Sequence, residues 1–123
     1  RTVTPDGKAR PRTVGIPLSG GDVATIPDID LGFVDGDARW ERAVGPTQFI
    51  PQSWADWGVD ADADGTADPD DIDDAASTAA RYLCADGHNL KDQQGWITAI
   101  ASYNHQEDYV RAVAEEANRL GSL

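Results

Sequence analysis

The chain has 123 residues, which is enough for one domain with a single modest core. Its 22 acidic and 10 basic residues give a formal net charge of -12, so nucleic acid is not an expected partner. The lone cysteine excludes an internal disulfide, and no apolar run is long enough to cross a membrane.

Residues 1–39 are predicted to form a long irregular segment. Gly, Pro, Asp and Thr are frequent there, and the segments PDG, IPLSGG and DGD each indicate a turn. Residues 12–18 are expected to be extended and to form part of a small ribbon. A loop of this length is uncommon inside a compact domain and is usually functional.

Large apolar side chains become frequent from Trp40 onwards, so the helical core is predicted in residues 40–123. Pro46 and Pro51 each suit the first turn of a short helix, where the missing amide donor costs nothing. We therefore predict two short helices that meet near Ile50. Gly58 is expected to end the second of them.

The stretch from residue 60 to residue 74 contains eight aspartates in 15 positions. No Lys, Arg or His lies between Arg42 and Arg81, so neighbours in sequence cannot neutralise these carboxylates. A solvated acidic linker is one interpretation of such a run. The positions of the aspartates and of a glycine favour a different one.

The acidic stretch matches the spacing of an EF-hand calcium loop. Alternating aspartates let several oxygen atoms face one ion, a glycine permits the sharp turn that follows, and a peptide carbonyl fills a remaining gap. Calcium is therefore the predicted metal, and either of two aspartates would close the loop. The predicted ligands are Asp60, Asp62, Asp64, the carbonyl of Thr66 beyond Gly65, and Asp71 or Asp74.

Three further helices are predicted after the acidic stretch, which makes the fold class mainly α. The first of these three is expected to bury small residues, with Gly87 near its end. The second is expected to begin at an Asp92 cap and to end around Tyr103, and the last to begin at about Glu107. The predicted inner faces are, on the first of them, Ile72, Ala76, Ala79, Ala80 and Leu83; on the second, Trp96, Ile97, Ile100 and Ala101; and on the last, Tyr109, Val110, Val113, Ala114, Ala117 and Leu120.

Two segments, GPTQFIPQSW at residues 45–54 and SYNHQEDYV at residues 102–110, contain more specific side chains than a core needs. Each residue alone has an ordinary structural interpretation. Gln48 would be a surface amide, and Tyr103 and Tyr109 would be core aromatics with solvated hydroxyls. Together with the acidic loop, the two segments favour a binding site.

RAVGPTQFIPQSW, VDADADGTADPDDIDDAASTAARYLC and AIASYNHQEDYV, in this order, resemble the lytic murein transglycosylases of the membrane-bound B type, above all their secreted actinobacterial relatives. The resemblance covers most of the chain. It implies a lysozyme-like helical core and an extracellular or cell-envelope location. It also implies cleavage of peptidoglycan between muramic acid and glucosamine units, with an anhydro sugar as the product.

Carried over by motif, the resemblance places Gln48 and Phe49 at the glycan groove, because GPTQF is similar to the family's GPMQF. Thr47 replaces the family's methionine and removes an apolar wall there. The family's YN motif adds Tyr103 and Asn104, with Tyr109 nearby. The family's calcium loop ends in DPxxxxDA, found here as residues 68–75, and this resemblance favours Asp74 over Asp71 as the closing ligand.

The family's catalytic acid is a glutamate in an E-S-x-x-G motif, which the sequence does not contain. Glu41 is the nearest glutamate before the groove motif, and we expect it to be a surface residue more than a catalytic one. The chain is thus predicted to be a transglycosylase domain without an upstream helix and to be inactive alone. The alternative is a non-catalytic, calcium-stabilised peptidoglycan-binding module.

Overall fold

The computed structural model describes residues 2–123, apart from the side chain of Asp86. Arg1, at which the predicted irregular segment starts, lies outside the described residues. The elements are β1 (Thr2–Val3), β2 (Ala9–Arg10), α1 (Pro51–Trp57), α2 (Ile72–Leu83), a 3-10 turn (Ala85–Gly87), α3 (Gln93–Tyr103) and α4 (Glu107–Gly121). The predicted class, mainly α, is confirmed.

The chain divides into two compact units, and the boundary falls within α2, between Ala79 and Ala80. The first unit contains the irregular segment, α1, the acidic loop and most of α2. The second contains the end of α2 with α3 and α4. The single domain expected from the chain length remains a prediction.

The first unit begins with a hairpin in which β1 pairs antiparallel with β2, so that Thr2 lies opposite Arg10. This ribbon precedes the one expected at residues 12–18. That segment is extended, but it pairs with residues 41–44 instead: the Gly15 amide donates to the Ala43 carbonyl at 2.8 Å and the Leu18 amide to the Glu41 carbonyl at 2.9 Å. The irregular segment therefore lies along the chain that leads to the GPTQF motif.

The GPTQF segment is a tight turn, so the short helix predicted from Pro46 is wrong. The Val44 amide donates to the Phe49 carbonyl at 2.9 Å, and Gly45 and Gln48 have φ angles of 72° and 54°. Two residues in the left-handed region reverse the chain before a helical turn can form. The helix predicted from Pro51 is present and ends before Gly58.

Gly45 also permits a close approach between the turn and the acidic loop. A Cβ atom at this position would overlap the carbonyl oxygen of Pro69. Glycine is therefore required for two reasons, its positive φ and the absence of a side chain.

The buried face of α2 differs from the predicted one. Asp74, Ala75 and Thr78 are buried, whereas Ile72 is 37% exposed and the alanines at 76 and 80 are exposed. The hydroxyl of Thr78 accepts a hydrogen bond from the Val59 amide at 3.0 Å. The buried face of α2 thus carries side chains that accept hydrogen bonds from backbone amides in and beside the acidic loop.

The second unit is a pair of packed helices, α3 and α4. The side chain of Asp92 accepts hydrogen bonds from the amides of Gln94 and Gly95, which confirms the predicted cap of α3. Ala99 and Ile100 are buried, but α4 has no fully buried residue, and its Leu120 is 53% exposed. Among the described residues, none of the helices combines the length and apolar character needed to span a membrane.

Candidate functional site

The acidic loop brings three of the predicted metal ligands together. Asp60, Asp62 and Asp74 each offer a carboxylate oxygen, and these oxygens lie within 4.8 Å of one another. Oxygen ligands of one calcium ion lie 2.3–2.6 Å from it, so two of them are separated by at most about 5 Å. These three side chains fit a shared cation as they lie.

Asp74 is the most firmly positioned member of this group. Its side chain is fully buried, its Oδ1 accepts from the Ala61 amide at 2.6 Å, and its Oδ2 accepts from the Asp68 amide at 2.9 Å. Two backbone donors therefore fix the carboxylate at the start of α2 while lone pairs on both oxygens remain for another partner.

Asp62 is the exposed counterpart of Asp74 in this group, and its Oδ1 accepts from the Asp64 amide at 3.0 Å. That hydrogen bond lowers the pKa of Asp62, but burial and the charges of nearby carboxylates, Asp64 first among them, raise it by more. The net rise in the pKa of Asp62 therefore reflects desolvation first and the nearby like charges second.

Asp64 and Thr66 lie beside the group formed by Asp60, Asp62 and Asp74. The Oδ1 of Asp64 accepts from the Thr66 amide at 2.9 Å, while its Oδ2 lies 3.5 Å from the Nζ of Lys8. Asp64 would have to turn from Lys8 to face the other three carboxylates.

Lys8 is the counter-charge that the local sequence lacks. Its Nζ lies 3.2 Å from Asp71, 3.3 Å from Asp68 and 3.5 Å from Asp64. Burial lowers the pKa of Lys8, but hydrogen bonds to Asp71 and Asp68 raise it by more, above its ordinary value. Sequence reasoning missed this partner, because it lies some 60 residues away along the chain and only its charge could have suggested it.

Asp71, the alternative closing ligand, is occupied by other contacts. Its Oδ1 accepts from the amides of Asp73 and Asp74 at the start of α2, and its Oδ2 pairs with Lys8. Burial raises the pKa of Asp71, but the Asp74 amide and Lys8 lower it by more. Asp71 is an anionic partner of Lys8 in this arrangement.

The predicted glycan residues of the first unit lie in the GPTQF turn. Gln48 is exposed, its Nε2 donates to the Gly45 carbonyl at 2.9 Å, and its Oε1 lies beside Gly15. Phe49 is buried, and its ring lies 6.2 Å from that of Trp54 at an angle of 54°. Phe49 thus packs the turn onto α1 beneath Gln48.

The predicted glycan residues of the second unit form an aromatic cluster. The rings of Tyr103 and Tyr109 are stacked, 6.3 Å apart and 4° from parallel, and the ring of Tyr82 meets Tyr103 edge-on at 5.7 Å. The Tyr82 hydroxyl donates to the Ser102 carbonyl at 3.0 Å. Tyr82 was not predicted, because it lies outside the periodic inner face expected for α2.

Asn104 ends α3 beside this cluster. It is half-buried, and its Oδ1 accepts from the Gln106 amide at 3.0 Å, so its side chain stabilises the connection to α4. The amide nitrogen of the side chain is the group left to donate to a ligand.

Glu41 is not the surface residue predicted from the sequence. It is fully buried, and its Oε1 accepts from the Ile29 amide at 3.2 Å. Burial raises the pKa of Glu41; the Ile29 hydrogen bond opposes this rise, and the charges of Asp35, Asp30 and Asp28 add to it. A raised pKa suits a general acid, but a carboxyl group with no exposed surface does not reach a substrate.

The family model of the transglycosylase SLT domain matches residues 34–116. No curated protein and no solved structure matches the chain significantly. Since the match covers most of the chain, the chain belongs to the transglycosylase SLT domain family. This confirms the lytic transglycosylase family expected from the motifs, with cell-wall peptidoglycan as the family's substrate.

Proposed function

We propose that the chain acts in a peptidoglycan lytic transglycosylase of the membrane-bound B type, secreted to the cell envelope or beyond. The observation that carries this proposal is the family match over residues 34–116, which includes both the GPTQF turn and the SYN segment. The bond cleaved is the one between muramic acid and glucosamine, within a lysozyme-like core.

The reaction needs one carboxylic acid close to the glycosidic oxygen. The acid donates its proton to that oxygen as the bond to the anomeric carbon breaks. The same carboxylate then takes the proton of the muramic acid's hydroxymethyl group, whose oxygen attacks the anomeric carbon and closes the anhydro ring. No water enters the product.

The glycan is proposed to contact the exposed Gln48 above Phe49 in the first unit, and Tyr103, Asn104 and Tyr109 in the second. Amide and phenol groups offer directional hydrogen bonds to sugar hydroxyls, and aromatic faces stack on pyranose rings. The stacked pair of Tyr103 and Tyr109 holds such faces in a fixed orientation.

Calcium is proposed as the structural metal of the first unit. Asp60, Asp62, Asp64, the Thr66 carbonyl and Asp74 would hold it, and the geometry of Asp60, Asp62 and Asp74 supports this set. The ion would bind carboxylates of the loop and that of Asp74 together, and would thus hold the loop against α2. Asp74 is preferred to Asp71 because Asp71 already pairs with Lys8.

None of residues 1–123 is proposed to be the general acid, since the E-S-x-x-G motif is absent and Glu41 is buried. Cell-wall sacculi incubated with residues 1–123 should release no anhydromuropeptides. General acid catalysis contributes about a hundredfold to ten-thousandfold in rate, so its loss should be evident. Release that Glu41→Gln abolishes would identify Glu41 as the acid and contradict the proposal.

Glycan binding should persist without turnover. Titration with a chitooligosaccharide or muropeptide, followed by NMR, should shift the signals of Gln48, Tyr103 and Asn104. Gln48→Ala should weaken binding, whereas Gln52→Ala, at an exposed position on α1, should not. Shifts that cluster away from all three residues would show that the groove is assigned wrongly.

A non-catalytic, calcium-stabilised peptidoglycan-binding module is the second candidate, and the burial of Glu41 is the observation that favours it. The two candidates differ in the activity of the full gene product. Release of anhydromuropeptides by that product would support the enzyme, and binding without release would support the module.

A further inference from the structure

A second group of carboxylates lies in the irregular segment, outside the acidic loop. Asp28, Asp30 and Asp35 each offer an oxygen, and these oxygens lie within 4.8 Å of one another. This spacing again fits oxygen atoms that share one calcium ion. Three acidic residues in a loop do not by themselves make a site, so the neighbouring buried residue decides the question.

Glu41 supplies the independent observation. It is fully buried, and its Oε2 has no hydrogen-bond partner, although its Oε1 accepts from the Ile29 amide. Ile29 lies between Asp28 and Asp30 in the chain, and the charges of Asp35, Asp30 and Asp28 act on Glu41, so the carboxylate of Glu41 lies beside the acidic group. A buried carboxylate oxygen without a partner is costly, and the cost is removed when a cation binds it.

Without a cation, burial and the charges of Asp35, Asp30 and Asp28 all disfavour the ionised form of Glu41. A cation satisfies the oxygen and the surrounding charges together.

Three basic side chains of the first unit are paired elsewhere: the Nε of Arg42 donates to Asp37 at 2.8 Å, Arg12 pairs with Asp70, and Lys8 pairs with Asp71. Arg39 follows the group in the chain, and it is exposed. In the described part of the chain, no ion pair reaches Asp28, Asp30, Asp35 or Glu41. This absence of basic partners distinguishes the group from the Asp60–Asp74 loop.

We propose that Asp28, Asp30, Asp35 and Glu41 form a second calcium site. All four ligands are carboxylates, the hard donors that calcium prefers and that disfavour zinc or copper. The backbone already orients the loop ligands: Asp28 accepts from the Gly32 amide at 3.2 Å, and Asp35 accepts from the Arg42 amide at 2.7 Å. The ion would cross-link this loop to the segment that leads to the GPTQF turn.

The test counts calcium ions on residues 1–123. The protein is stripped with EDTA and titrated with calcium by calorimetry, with native mass spectrometry for the stoichiometry. Glu41→Gln and Asp30→Asn report on the second site, because both keep an acceptor oxygen and lose the charge. Asp62→Asn reports on the first site, and Asp22→Asn, an exposed aspartate outside both groups, is the matched control.

Wild type and Asp22→Asn are expected to bind two ions, and Asp62→Asn one. Glu41→Gln and Asp30→Asn should each weaken one site by about tenfold or more, as expected when a ligand charge is lost. Without calcium, Glu41→Gln should be at least as stable as wild type, which shows that the variant folds.

If wild type binds one ion, and Asp62→Asn abolishes this binding while Glu41→Gln does not, the second site alone is overturned. If wild type binds one ion, and Glu41→Gln abolishes this binding while Asp62→Asn does not, the result supports the second site and contradicts the first. A wild-type protein without bound calcium would overturn both.

Discussion

The two units of the chain are stabilised by different means. In the first, loops are fixed by buried polar side chains, and Glu41, Asp71, Asp74 and Thr78 are among its fully buried residues. In the second, two regular helices follow an Asp92 cap and pack through half-buried apolar and aromatic side chains. One unit depends on particular side chains at single positions, and the other on many small contributions.

This difference determines how each unit responds to change. A helix satisfies its own backbone, so an ordinary surface substitution changes the stability by no more than about 0.5 kcal/mol. A loop leaves its amides to individual acceptors, and a buried amide that loses its acceptor costs about 1–3 kcal/mol. We therefore expect large effects in the first unit and small ones in the second.

The largest effect is expected for Gly45→Ala. The substitution places a side chain at a φ of 72° and against the Pro69 carbonyl oxygen. Backbone strain and overpacking together cost roughly 2–6 kcal/mol, enough to unfold a marginal unit. Denaturant unfolding measures the loss.

Gly21→Ala is the matched control for this substitution. Gly21 also has a positive φ, 77°, but nothing lies within 4 Å of the added carbon. It should therefore cost only the backbone strain. Equal losses in the two variants would show that the contact with Pro69 is unimportant.

The next effect is that of calcium removal. Binding to the folded state alone stabilises it by about 2.7 kcal/mol when the ion is a hundredfold above its dissociation constant. Excess EDTA should lower the melting temperature of metal-loaded wild type and leave that of Asp62→Asn less changed. Hydrogen exchange should increase in residues 59–78 and in residues 28–41, and it should remain constant in α3 and α4.

An unchanged melting temperature in EDTA would contradict a structural calcium ion. Faster exchange confined to α3 or α4 would contradict the location of the ion in the first unit.

Local patterns in the sequence were sufficient for the helix boundaries of the second unit, but Ile97, Ala117 and Leu120, predicted to face inwards, are exposed. The Asp92 cap, the end of α3 near Tyr103 and the start of α4 at Glu107 follow from residues within one or two turns of each boundary. The helix from Pro51 was predicted for the same reason. Each of these features depends on interactions that are short-range in sequence.

The first unit could be predicted only in part, because its decisive contacts join distant residues. Lys8 meets Asp64 across 56 positions, and no local pattern specifies that pairing. The inner face of α2 was predicted from its alanines, but the loop amides select Asp74 and Thr78. The burial of Glu41 was missed because hydrophobic periodicity ignores a carboxylate.

A smaller effect is expected at the start of α3. Asp92→Ala removes the acceptor for the amides of Gln94 and Gly95 and should cost about 1 kcal/mol. Asp92→Asn should retain most of the stability, because asparagine caps nearly as well. Denaturant unfolding monitored by circular dichroism measures both. A loss as large as that of Gly45→Ala would remove the contrast between the units.

The smallest effect is expected for Lys8→Met, measured as calcium affinity. Lys8 places a positive charge among Asp64, Asp68 and Asp71, where it competes electrostatically with an ion in the same loop. Its removal should tighten calcium binding to the acidic loop by about threefold, since one charge several Å away acts through partly solvated surroundings. The substitution removes the one basic side chain that contacts Asp64, Asp68 and Asp71 among the described residues, although Arg12 still pairs with Asp70.

Salt concentration tests whether the Lys8 effect is electrostatic. At about 1 M salt the screening length falls to about 3 Å, so the affinities of wild type and Lys8→Met should converge. Lys91→Met, an exposed lysine of the second unit, should leave calcium binding unchanged at either concentration. Weaker binding in Lys8→Met would instead show that Lys8 holds the loop in its binding conformation, because a packing role that outweighs charge competition reverses the sign.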